Sequence, residues 1–406
     1  MPYRFATITL LVVMLLSACA PQPAALPTPD LTLTAFFDQA LLDATRSIPT
    51  VTPTPVPPTV TVTPTFTPTP VRTPPTLPVA FQTDRLNKLD VPQPYVEDTC
   101  QYLRAKWDPN NSAPGTVVMP IMFHRITDEV NQVYQISEAY LDLLLRDLHK
   151  MGFETISMQQ MAGFLQRNEK IPARSVLLIV DDLHTEAYYR TFFEPYFKEF
   201  GWTSVTNAWI SEPEASKRVL EGNRLLQDEG WVDHQAHGVI HNVNIYEAKP
   251  GTYITTPLYG TVSADEYAYN ELNGAYEAIT EAFGKAPIAY IWPGGSFSRR
   301  GVEIAREVGY QLGFTVNPRG PIMYNWVPQA AADDPARPSY ASEGYINDPL
   351  MLLPRYWDAD AQIHLDTVRL IGKEAADYAE ANRQTELEYY EIVCSPKLGP
   401  LPTPSP

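Results

Sequence analysis

The chain has 7 His, and three of them fall within HQAHGVIHN, residues 234–242. His237 and His241 stand four apart, so on one helical turn or a tight loop both imidazoles can face a single ion. A carboxylate from elsewhere would complete a three-ligand site with one position left for water. Such carboxylates are present: Asp181 and Asp182 close the apolar run SVLLIVDD. Two acidic residues after a buried run are costly unless something neutralises them. His124 ends PIMFH, and WPGG follows IAYI, so polar or turn-forming groups close these apolar runs too. Each signal is weak alone, since an HxxxH pair also suits a solvated turn. Together in one alternating domain they favour an ion-binding site.

The segments that must position these residues alternate between two periods. TVVMPIMFH, SVLLIV, TSVTNAWI, WVDHQAH, IAYIWP and YQLGFTV read as strands, with FETISM a further short one. Between them SEAYLDLLLRDLHKMG carries Leu141, Leu144, Leu145 and Leu148 at helical spacing, with Ser137 as N-cap and Gly152 as stop. SMQQMAGFL, TEAYYRTFFEPYFKEFG, SKRVLEGNRLLQDEG, the segment opened by a Ser263–Glu266 capping box, and RRGVEIAREVG read as helices. Repeated βα units imply a largely parallel sheet, and their number favours a closed or nearly closed barrel. In such a barrel chemistry sits where strands end. Trp202, Trp231, Trp292 and Trp326 have rings suited to sugars, yet a Trp in a strand is expected in the core.

The wider composition bounds the partners. Of the 406 residues 44% are hydrophobic, enough for a substantial core, and a formal charge of −17 argues against nucleic acid and anionic membrane surfaces. Residues 1–19 read as an export signal: Arg4 is followed by the apolar FATITLLVVMLL and then by LSAC. Leu16, Ser17, Ala18 and Cys19 resemble the lipobox of bacterial lipoproteins, which implies a chain lipidated at Cys19 and held outside the cytoplasm on a bacterial membrane only by lipid. Residues 20–90 form a Pro/Thr-rich stalk, expected to be disordered or extended, with LTLTAFFDQALLDATRSI as at most a weak helix. The domain is read as 91–398 and a flexible tail as 399–406. Cys100 and Cys394 bracket the domain, and export to an oxidising compartment predicts that they pair. A monomer is expected.

The motifs VVMPIMFHRI, VLLIVDDLH, DHQAHGVIHN, IWPGGSFS and DPLMLLPRY resemble, in this order, the secreted bacterial branch of the polysaccharide deacetylases, over about Cys100 to Asp358. The resemblance implies an α/β fold, a distorted and incomplete (β/α) barrel. It implies Asp181 as catalytic base and Asp182, His237 and His241 as ligands of a divalent metal, usually Zn2+. His124 matches a general acid, Pro293 and Gly294 the loop that offers an N–H to an oxyanion, and Arg355 a residue positioning a carboxylate or a salt bridge at the barrel rim. The implied activity is removal of N-acetyl groups from an acetylated envelope or extracellular amino sugar polymer. O-acetyl ester hydrolysis and sugar binding without turnover are the alternatives. The chain departs from the family where Leu183 stands in place of a Gly, which would narrow the pocket or resist a backbone conformation that Gly tolerates. His184 and His234 are expected to make local hydrogen bonds rather than bind the ion.

Overall fold

The computed structural model describes residues 72–241, 251–335 and 342–404, all within one compact unit that spans Val71–Pro406. Cys19, the export signal and the stalk up to residue 71 lie outside the described residues.

The principal sheet has eight strands: β1 Val117–Phe123, β2 Glu154–Thr155, β3 Arg174–Asp181, β4 Val205–Trp209, β5 Val232–Ala236, β6 Ala289–Ile291, β7 Leu312–Phe314 and β8 Tyr356–Trp357. Their order is β7-β6-β5-β4-β3-β1-β8, with β2 also on β3, and every pairing is parallel. All seven residues of β1 and all but the first of β3 are buried, which is why these strands read as unbroken apolar runs. The sheet curls into the expected incomplete (β/α) barrel. Beyond β7, Phe314 bridges Leu353, and three residues later Tyr356 pairs with Ile121 of β1, so the segment 353–357 touches both edges of the opening.

The helices of nine residues or more are α1 Thr99–Trp107, α2 Glu138–Lys150, α3 Met158–Arg167, α4 Leu220–Asp228, α5 Ala264–Phe283, α6 Arg299–Val308 and α7 Asp358–Tyr389. In α2, the Ser137 hydroxyl accepts from Tyr140 N, and Leu141, Leu144, Leu145 and Leu148 are buried, so the cap and the stripe act as their spacing predicts. The aromatic run after Asp182 departs from one continuous helix. It forms Glu186–Phe192 and Glu194–Phe200, broken at Phe193, where Pro195 starts the second piece and contributes no N–H to bridge the gap.

Residues at the expected linker and tail lie against the domain. Phe81 and Leu86 pack on the largest apolar cluster, Arg85 pairs with Glu374 at 2.6 Å, and Leu89 O accepts from Ala331 N. Strand pairing of Asp90–Gln93 with Val327–Ala330 continues this attachment. At the other terminus Leu401 packs beside Cys394, and Thr403 O accepts from Asn110. Cys100 at the start of α1 is disulfide-bonded to Cys394, which follows α7. Among the described residues no helix is long and apolar enough to cross a membrane.

Candidate active site

Parallel register assembles the site. Phe123 of β1 pairs with Val180 of β3, so the next residues, His124 and Asp181, fall side by side at the strand ends. Trp209 of β4 pairs with Ala236 of β5, and Tyr290 of β6 also meets Ala236, so His237 emerges in the same layer beside Ile291. One edge of the sheet therefore carries residues far apart in the chain.

Asp181 is 1% exposed. Its Oδ1 accepts from Arg355 Nη1 at 2.6 Å, while Oδ2 lies 3.6 Å from His124 Nε2 and 4.0 Å from His237 Nε2. Burial alone would raise this carboxyl, but Arg355, then His237 and His124, hold it well below the usual carboxylate range. Arg355 is itself fully buried and fixed by Nε donating to Thr315 O at 2.7 Å, so it is no rim residue.

Asp182 takes the opposite setting. Its backbone has φ 74°, and 43% of its side chain is exposed, with Oδ1 3.6 Å from His241 Nε2. His241 also has positive φ, 51°. Two non-glycine residues held in the left-handed region at one site are a local backbone cost that the surrounding structure must sustain. Leu183, by contrast, is not among the described residues with positive φ, and its side chain packs partly buried on the cluster that holds Trp209 and Trp292. The turn is thus made at Asp182, and Leu183 carries none of its strain.

Asp182, His237 and His241 each offer a ligand atom, all within 4.8 Å of one another. The donor chemistry fits a divalent ion. A carbonyl can only accept, so His237 Nδ1, 2.8 Å from Ile291 O, carries the proton and leaves the Nε2 lone pair free. Burial pushes this imidazole down to about 4, which keeps it neutral at physiological pH. The His241 ring stands 4.7 Å from it, centroid to centroid.

His124 is stacked on Trp357, 5.7 Å apart and 16° from parallel, and its buried Nδ1 has no hydrogen-bond partner among the described residues. Tyr188 OH donates to His124 O at 3.2 Å, and the His184 ring stacks on Tyr188 at 3.9 Å while its Nε2 meets Asp181 O at 3.0 Å. His184 thus braces two strand ends. His234 sits apart from the cluster, with Nδ1 on Gln227 and Nε2 on Asn223, under Phe283. Pro293 is buried at the start of a 3-10 turn, and Gly294 follows with φ 58°, exposed. Trp202, Trp292 and Trp326 are buried in the core; Trp357, which faces His124, is not among the sequence candidates, although it closes an apolar run ending at Asp358.

Residues 168–313 match the family model described as polysaccharide deacetylase. The poly-beta-1,6-N-acetyl-D-glucosamine N-deacetylase of Escherichia coli O157:H7 is 21% identical over 233 residues, covering 50% of this chain and 34% of that protein. The chain therefore spans about a third of the length of the curated relatives it matches. Among solved structures, the Streptococcus pyogenes deacetylase PplD in complex with acetate is 18% identical, with a TM-score of 0.45, covering 60% of this chain and 93% of that one. IcaB from Ammonifex degensii is 17% identical, with a TM-score of 0.43, covering 65% and 98% respectively.

Proposed function

We propose, from the match of residues 168–313 to the polysaccharide deacetylase family model, that the chain is a metal-dependent hydrolase of that family, which removes N-acetyl groups from an amino sugar polymer of the poly-N-acetylglucosamine type. The observation that carries this reading is the pairing of unlike neighbours. Asp181 is a buried, ionised carboxylate beside His124, and Asp182 turns away to join His237 and His241.

Asp182, His237 and His241 would hold the ion, for which two imidazoles and a carboxylate make Zn2+ the expected choice. When bound, a divalent ion polarises an acetyl carbonyl and lowers the pKa of water. The protein's own groups account for the proton movements. Asp181, charged at neutral pH, accepts a proton from the attacking water. His124, held flat by Trp357 and facing Asp181 through Nε2, protonates the departing amine. The family resemblance would assign Gly294 the N–H that meets the carbonyl oxygen as it gains charge, and Arg355 keeps Asp181 oriented. Water and amide give acetate and a free amine. Leu183 packs partly buried on the apolar cluster that holds Trp209 and Trp292.

The chain is proposed to be exported and lipidated at Cys19, which Cys19→Ala would test by releasing it from the membrane fraction. For the activity, acetate release is measured from N-acetylglucosamine oligomers and from acetylated xylan, with and without chelator. Release from the amino sugars that stops with chelator is expected. Release from xylan alone, or release that chelator leaves untouched, contradicts the proposal.

A further inference from the structure

The loop between the two imidazoles, Gly238 to Ile240, is held by a residue from a distant helix. Glu271 of α5 is fully buried. Its Oε2 accepts from Val239 N at 3.1 Å, and Ile240 N lies 3.2 Å from each carboxylate oxygen. Tyr259 OH donates to Oε1 at 2.8 Å. Backbone N–H groups in a buried loop need acceptors, and here a single carboxylate serves two in succession. Gly238 completes the fit: it has φ 82°, and a Cβ there would lie 2.8 Å from Glu271 Oε2.

We infer that Glu271 is a positioning residue for the metal centre, one that sets the conformation of the 238–240 loop so that His237 and His241 converge before any ion arrives; this rests on the metal-binding reading proposed above. The argument is geometric. His237 is anchored on one side by Ile291 O, and the loop leaving it is anchored two and three residues later by Glu271. His241 follows at once, in a strained backbone conformation that an untethered loop would not keep. Glu271 touches neither imidazole through any hydrogen bond described, so it acts on the ion only through the loop. Tyr259 belongs to the turn of the hairpin Tyr253–Thr256 and Gly260–Ser263, which ties that hairpin to the same carboxylate.

The test is zinc affinity in the full-length chain, read by competition with a chromogenic chelator. Glu271→Ala leaves both N–H groups without their acceptor and is expected to weaken zinc binding by about 10–100-fold, the usual effect of losing a residue that orients metal ligands. Glu271→Gln should stay within about threefold of the parent, because its oxygen can serve both N–H groups while its NH2 turns to the Tyr259 hydroxyl. A purely structural role would lower the unfolding midpoint and leave the zinc affinity of the folded protein alone. Amide exchange in the zinc-free parent gives a second reading that needs no variant: Val239 and Ile240 should be protected. A folded Glu271→Ala with the parent's zinc affinity overturns the inference, as does unprotected exchange at those two amides. A parent that binds no zinc overturns the metal reading and this inference with it.

Discussion

Asp181 is ion-paired with a fully buried arginine, whereas Asp182, one residue later, leaves 43% of its side chain in solvent. The same contrast divides the two imidazoles: His237 is buried and bonded to a strand carbonyl, while 37% of the His241 side chain is exposed. The floor of the site is therefore built by the sheet, and its rim by loops. Floor groups have their charge states fixed by burial and by partners that cannot move, so they are coupled to folding. Rim groups keep water around them and cost little to alter, so their loss should show in the ion and hardly in the fold.

That comparison is strained most by Arg355→Met. It leaves the Asp181 carboxylate buried without its partner, and removal of one member of such a pair costs about 3–5 kcal/mol. Urea unfolding of the metal-free protein would read this as a lower midpoint. If the midpoint holds, the floor is not coupled to folding as described.

A second effect concerns pH. Burial holds His237 at about 4 and His234 at about 3, both below the ordinary 6.5. The unfolded chain therefore takes up protons first, and the stability these residues provide is present above 6.5 and lost as pH falls through about 4 for His237 and about 3 for His234. Asp358 opposes them: burial raises it to about 7, so its contribution is largest in acid and is lost as pH rises through 7. Metal-free protein should lose on the order of 2 kcal/mol between pH 6.5 and 4 from His237 alone. Asp358→Asn should steepen that fall, which thermal unfolding at successive pH values would follow. A flat profile in both proteins contradicts the assignment of buried neutral imidazoles.

Smaller effects belong at the margin and the rim. Leu183→Gly removes a partly buried side chain and adds backbone freedom, for a loss of about 1 kcal/mol, and should leave the ion bound, because Leu183 does not make the turn. His241→Asn should change stability by no more than about 0.5 kcal/mol, since Asn tolerates positive φ and the position is half-open. It should nevertheless lose the ion, as elemental analysis would show.

Much of the barrel and the site was legible because the signals were local. Apolar runs ending in Asp181 and His124, the four-residue spacing of His237 and His241, and the Leu141–Leu148 stripe all follow from neighbours in the chain. What was not legible depends on long-range contacts. Arg355 was marked only by the family resemblance; its partner, Asp181, lies 174 positions away, and only the curl of the sheet and its closing segment bring the two together. Glu271 lies on a helix where it reads as one more polar position, and nothing near it in sequence announces the loop it serves. The break at Phe193 hides inside an aromatic run whose periodicity continues across it. Contacts of residues 72–89 escaped for a related reason: a Pro-rich composition predicts an extended chain but not whether that chain lies on a surface.

The central claim, that two adjacent aspartates divide base from ligand, is tested most directly by measuring zinc content beside acetate release in two variants of the full chain. Asp181→Asn is predicted to keep the ion and lose rate by about 10²–10⁴-fold, the usual worth of a general base. Asp182→Ala is predicted to lose both ion and activity. An Asp182→Ala protein that retains zinc and the parental rate, beside an active parent, would contradict the division of roles.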